Sequence, residues 1–155
     1  MKLKVKVKLH KGGLLPQVME KGDWIDLTTS EDVSMRQFEY KNICLGVSME
    51  LPRGYEAVVV PRSSTFKKHG VLQTNSFGVI DNSYHSDFDV WHFPAFSMRE
   101  TTIPKGTRIC QFKVQLSQFA TPWQKIKWLF TREIEFKEVY TLGHEKRGGF
   151  GSTGI

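Results

Sequence analysis

KLKVKVKL, residues 2–9, puts Leu3, Val5, Val7 and Leu9 on one parity and lysines on the other. A period of two is the mark of a β-strand with one buried and one solvated face. NICLGVSMEL, residues 42–51, repeats it, with Ile43, Leu45, Val47, Met49 and Leu51 on one side. LPRGY (51–55) turns the chain, and EAVVVP (56–61) reads as a short, wholly apolar strand. FGVIDNSY (77–84) predicts two strand arms around a turn at Asp81–Ser83. DVWHFPAF (89–96), RICQFKVQL (108–116) and EIEFKEV (133–139) supply further strands. Short strands between Gly/Pro turns predict an all-β sandwich or barrel. Helical periodicity is scarce: QFATPWQKIKW (118–128) admits at most a turn of helix, limited by Pro122.

The 155 residues are most simply one domain, 39% hydrophobic and 25% charged, ordinary for a globular chain. No run approaches the ~18 apolar residues that span a bilayer. The opening MKLKVKVKLH lacks the apolar block of a signal peptide, so a cytoplasmic location without membrane contact is expected. Cys44 and Cys110 lie in strand-like stretches and read as small buried hydrophobes. No Cys/His spacing suggests zinc. The formal charge of +6 suits a polyanion, whether nucleic acid, nucleotide or phosphate. Much of it sits on Lys2, Lys4, Lys6, Lys8 and Lys11, read as a solvated strand face.

Several stretches carry chemistry. VVVPRSST (58–65) sets Arg62, Ser63 and Ser64 where a strand ends, and arginine is the fork-shaped phosphate ligand. In GTRICQFKVQL (106–116), Gln111 faces away from Cys110, Phe112 and Val114, on the strand that also carries Arg108. The tail KRGGFGSTGI (146–155) is glycine-rich and polar, which predicts mobility. Its Arg147, Ser152, Thr153 and unhindered backbone N–H groups suit anionic oxygens, and Phe150 suits a flat ring. A Walker loop would need a lysine before the Ser/Thr and a helix behind it; the tail has neither.

Taken in order, DL (26–27), PRSS (61–64), GVIDNSY (78–84), GTRICQ (106–111) and RGGFGSTG (147–154) resemble the ordered motifs of the trimeric dUTPases. The resemblance spans residues 22–154 and is nearest the Gram-positive bacterial and phage type. It implies a β-barrel or distorted jelly roll over residues 1–143 and a mobile arm, 144–155, that closes over the site. The implied reaction is hydrolysis of dUTP to dUMP and pyrophosphate, which limits uracil in DNA. Asp81 would hold the attacking water. An aspartate with an ordinary pKa of ~3.9 is a weak base at neutral pH, so its value lies in orientation. Arg62, Ser63, Ser64 and Gln111 would bind phosphate oxygens. Mg²⁺ would ride on the triphosphate and its waters, with Asp26 reaching it only through water. Asn75 and the backbone at Gly78, Val79 and Ile80 would read uracil, and Tyr84 would pack on the deoxyribose. From the arm, Phe150 would cover the base while Arg147, Gly151, Ser152 and Thr153 meet phosphates. The family also implies a homotrimer with shared sites and no stable nucleic-acid complex.

After Asp81 the chain reads Tyr84-His85-Ser86 where the family has Tyr-Arg-Gly. The rival of the same fold, a dCTP deaminase, needs a catalytic acid at the pyrimidine, and this stretch offers no glutamate. A single-stranded nucleic-acid binder, or a phage regulatory protein on this fold, are the other readings.

Overall fold

A computed structural model describes residues 1–18 and 22–143. In chain order the elements are β1 (Lys2–Leu9), β2 (Ile25–Thr28), β3 (Val33–Met35), β4 (Tyr40–Cys44), β5 (Val47–Glu50), β6 (Tyr55–Pro61) and α1 (Thr65–His69). There follow β7 (Val71–Gln73), β8 (Gly78–Ile80), β9 (His92–Ser97), β10 (Thr101–Ile103), β11 (Arg108–Leu116), α2 (Pro122–Leu129) and β12 (Glu133–Glu138). The sheets run β12-β1-β5, β10-β3, β2-β11-β6-β8 and β4-β9-β7. The all-β expectation holds.

The alternation in β1 does what its parity predicts. Val5 and Val7 are fully buried, while Lys2, Lys4 and Lys6 stay in solvent. Burying each valine is worth about 1.5–3 kcal/mol. β1 pairs with β5 antiparallel and with β12 parallel, so the first strand meets the last described one. Lys2–Glu133 and Lys6–Glu50 bridge across the ladders at 3.0 Å. Trp91, Phe112 and Phe136 stack edge to face through the core, at 5.3 and 5.9 Å between centroids.

Three expectations need correction. Residues 42–51 keep their parity, with Ile43, Leu45, Val47, Met49 and Leu51 all buried, but they are not one strand. The chain breaks at Gly46 (φ 68°) and passes from the β4 sheet to the β5 sheet. Gly13 Cα would lie only 2.6 Å from a Cβ at Gly46, so the crossing needs glycine. Pro122 starts α2 rather than limiting it. A first-turn proline loses no helical hydrogen bond, and Thr121 and Gln124 form a reciprocal capping box before it. α2 packs through Gln124 and Trp128, which meets Tyr55 at 5.5 Å, and turns Trp123, Ile126, Leu129 and Phe130 outward. Cys110 is fully buried as expected, but Cys44 is only half-buried. It stands opposite His92 on β9, whose imidazole holds the thiol below its ordinary value.

Candidate active site

The turn after β6 is built around Thr65. The Arg62 backbone N–H donates to Thr65 Oγ1 at 3.0 Å, and that hydroxyl donates to the Ile109 carbonyl at 2.7 Å. Thr65 is buried, so both partners depend on it. Ser64 caps α1 without a side-chain capping bond, and Gly70 ends it in the left-handed region. This short helix was missed in the sequence, although Ser64 and Gly70 are its start and stop signals. Thr65→Val is expected to destabilise the fold by about 1–3 kcal/mol, because the buried Ile109 carbonyl and the part-buried Arg62 N–H lose their partner. Urea unfolding measures it.

Two arginines, Arg62 and Arg108, converge on Asp26. Arg62 Nε lies 2.8 Å from Asp26 Oδ1, and Arg108 Nη1 lies 3.3 Å from Oδ2. Ile25 and Leu27 are buried, so alternation turns Asp26 to the outer face of its sheet. Gln111 sits directly opposite Asp26 in the β2–β11 register, and Val60 is its partner on β6. Gln111 Nε2 is anchored by the Pro61 carbonyl at 3.4 Å. The register shifts between Arg108 and Cys110, and Ile109 and Cys110 are both fully buried. Such a bulge re-aims the residue before it. It brings Arg108 to Asp26, a partnership that strand parity alone does not encode.

On the other side of the sheet, Gln73 Nε2 donates to the Val59 carbonyl at 3.2 Å and to Asn75 Oδ1 at 2.9 Å. With its oxygen so engaged, Asn75 presents its Nδ2 as a donor. β8 pairs with β6, Gly78 against Val59, Val79 against Val58 and Ile80 against Ala57.

The second arm expected after Asp81 is not a strand. Residues 81–91 form successive turns whose backbone groups are met by side chains. Asp81 Oδ1 accepts the Ser83 backbone N–H at 2.8 Å and also the Ser83 hydroxyl. Ser83 thereby orients the carboxylate, a role its position in the motif did not disclose. Asn82 Nδ2 donates to the Leu51 carbonyl. Tyr84 lays its ring against the core and donates its hydroxyl to the Val90 carbonyl at 3.1 Å. Burial, then the charge of Asp89, raises that phenol. Where the family has Tyr-Arg-Gly, Ser86 is fully buried and closes a turn with Asp89. Its N–H donates to Asp89 Oδ2 at 2.9 Å, and the Asp89 N–H returns to its carbonyl at 3.1 Å.

The dUTPase family profile matches residues 24–154 of this chain.

The chain belongs to the dUTPase family.

It is 53% identical over 136 residues to the SPβ prophage-derived deoxyuridine 5′-triphosphate nucleotidohydrolase of Bacillus subtilis, covering 88% of this chain and 87% of that one. It is 37% identical over 157 residues to the deoxyuridine 5′-triphosphate nucleotidohydrolase of Hydrogenobaculum, covering 100% and 99%. Among solved structures, the dUTPase of Streptococcus mutans superposes with a TM-score of 0.67 at 20% identity, over 75% of this chain and 98% of that one.

The dUTPase motif positions fall into two groups within one chain. Asp26, Arg62, Arg108 and Gln111 gather at the Val60–Arg62 end of β6. Asp81 follows Ile80, which pairs with Ala57, so it leaves at the opposite end. Four residues of β6, Val58 to Pro61, lie between Ala57 and Arg62, so the five steps span about 16 Å at the ~3.3 Å rise of a strand. The Arg62 side chain reaches to β2, which is further from β8 still. Arg147, Phe150, Gly151, Ser152 and Thr153 lie outside the described residues.

Proposed function

We propose that this chain is a dUTP diphosphatase, cleaving dUTP to dUMP and pyrophosphate. The family match over residues 24–154 carries the reading, because it includes every motif position of the site. Water attacks the α-phosphorus, the bond from that phosphorus to the bridging oxygen breaks, and pyrophosphate leaves with the electron pair. Asp81, oriented by Ser83, holds the water in line and takes up its proton. Arg62, Ser63 and Ser64, on a turn that Thr65 braces, and Gln111, on β11, receive the phosphate oxygens.

No group of three or more His, Cys, Asp or Glu that could cage a metal occurs among the described residues. This donor set fits Mg²⁺ held by the triphosphate and its own waters. Each Asp26 oxygen accepts one guanidinium and keeps lone-pair capacity for a water of that ion. A phage φ11 dUTPase of Staphylococcus aureus is described with a structural Mg(II) ion, and a phage 80α dUTPase variant with the analogue dUpNHpp. Such an ion, held near Asp26 through water, would supply charge stabilisation for the departing pyrophosphate.

Uracil is read by the Asn75 amide donor and by the backbone at Gly78, Val79 and Ile80. Cytosine reverses the donor and acceptor at its edge and would leave buried groups unpaired. Residues 144–155 act as the arm: Phe150 covers the base, and Arg147, Gly151, Ser152 and Thr153 meet the phosphates. The chain works as a homotrimer with shared sites. What supports this is the separation of Asp81 from the Arg62–Gln111 end, too great for both to serve one triphosphate from the same chain.

Pyrophosphate release from dUTP, set against dCTP, dTTP and UTP, tests the function. Release from dUTP alone is expected; ammonia from dCTP would replace the reading with a deaminase. Tyr84→Ala is expected to lower the dUTP-to-UTP ratio of kcat/KM about tenfold or more, since the ring crowds a 2′-hydroxyl. Tyr84→Phe keeps the ring, loses only the Val90 bond, and should keep the ratio. An unchanged ratio in the alanine variant would reduce Tyr84 to a packing residue.

A further inference from the structure

One carboxylate ties the chain before residue 144 to the loop that carries Asp81. Asp87 Oδ1 accepts the Leu142 backbone N–H at 2.6 Å, and Oδ2 accepts the Thr141 hydroxyl at 2.7 Å. Lys8 Nζ lies 3.1 Å from the same Oδ2. The Gly143 N–H folds back on Thr141 Oγ1 at 3.1 Å, and Leu142 is buried. Just upstream, the Val139 N–H donates to the Val7 carbonyl at 2.8 Å, while Tyr140 is 95% exposed. The chain is thus held by β1 at Val139, let go at Tyr140, and held again by Asp87.

The donors aimed at Asp87 keep it charged at neutral pH: the Leu142 N–H first, then the Thr141 hydroxyl and Lys8, lower it to about 2. Among the described residues His10 also faces the cluster, and burial and then Lys8 push its pKa below the ordinary value. Thr141–Gly143 belongs to no strand, and a surface ion cluster adds little to global stability. What the cluster fixes is the place and direction in which the chain enters residue 144.

We propose that Asp87 is a positioning residue for the reaction: pinning Thr141 and Leu142 to the Asp81 loop sets the departure point from which residues 144–155 reach a bound nucleotide. This rests on the reading of those residues as the covering arm. A segment whose root is fixed loses less freedom when it closes. Moving the root of the proposed arm back from residue 144 to Tyr140 lengthens it by four residues, which costs less than about threefold by loop-length entropy. Losing the fixed departure direction adds to that, for an expected total of about three- to tenfold.

The test compares the full chain, Asp87→Ala, a chain ending at His144, and the two changes combined. Each is measured for kcat/KM on dUTP and for Kd of an α,β-imido analogue of dUTP by calorimetry. Asp87→Ala should weaken both about three- to tenfold in the full chain and change neither in the shortened one. Thr141→Val, which removes one of the bonds, should shift the full chain the same way by less. Equal losses in both backgrounds would show Asp87 acting on the Asp81 loop itself, overturning the inference. No loss in the full chain, with the shortened chain impaired, would overturn it while leaving the arm intact as a reading. A shortened chain that binds and turns over like the full one would refute the arm, and the inference with it.

Discussion

Asp81→Asn is expected to bind dUTP with nearly unchanged Kd and to hydrolyse it about 10²–10⁴-fold more slowly, the usual loss when a positioned base is removed. The amide is nearly isosteric, and its oxygen still accepts the Ser83 N–H that orients the carboxylate in the parent. Side-chain placement should therefore survive, and what goes is the ability to polarise water and take its proton. Single-turnover hydrolysis and calorimetric titration with the imido analogue separate the two. A variant with near-normal kcat would remove Asp81 from the chemistry. A variant that had lost binding would make it a substrate ligand instead.

Removing residues 145–155 is expected to leave folding and oligomer size intact and to lower hydrolysis by about 10²–10³, the scale of losing donors aimed at developing charge. The cut falls beyond Leu142, so every core residue among those described is retained. The stronger test is complementation. The shortened chain keeps Asp81, and the Asp81→Asn chain keeps the arm; each alone should be nearly inactive. Refolded together they should regain activity if the proposed homotrimer is right, because some mixed assemblies would then place a wild-type Asp81 and an intact arm at the same site. The β6–β8 register is the reason to expect this, since it sends Asp81 away from its own chain's Arg62. Mixed trimers shown to form without any rescue would assign Asp81 and the arm to one chain and one site.

Strand parity made most of the architecture legible. RICQFKVQL corresponds to β11 residue for residue, and Gln111 faces outward as its parity requires. Parity also picked the buried side of residues 42–51, though it could not show that Gly46 hands the chain from one sheet to another. Both sheets need the same alternation, so the pattern cannot distinguish them. Motif order placed Asp26, Arg62, Gln111 and Asp81, but their mutual distances depend on register, which a period of two leaves undetermined. The supporting residues stayed hidden for a related reason. Thr65 and Arg108 act through bonds to groups remote in sequence, Arg108 by way of a bulge, and Ser83 acts through a local turn bond to Asp81; none of these leaves a periodic trace. Pro122 misled because the same ring that breaks a helix interior is well suited to its first turn.

The parallel ladder between β1 and β12 has a consequence during synthesis. Met1 and Phe130, which meet just before that ladder, are 129 residues apart in the chain. At ~5–20 residues per second, roughly 6–26 s pass between the emergence of the two ends from the ribosome. Throughout that interval one hydrogen-bonding edge of β1 has no partner, and an apolar strand with an open edge invites a neighbouring nascent chain to pair with it. The lysines at 2, 4, 6 and 8 put a row of like charge along that strand, so two copies brought side by side would repel before they could zip. Replacing the exposed Lys2, Lys4 and Lys6 of that row with uncharged threonines would cost the finished protein little. The penalty would fall on the polysome, as aggregation of chains not yet long enough to close.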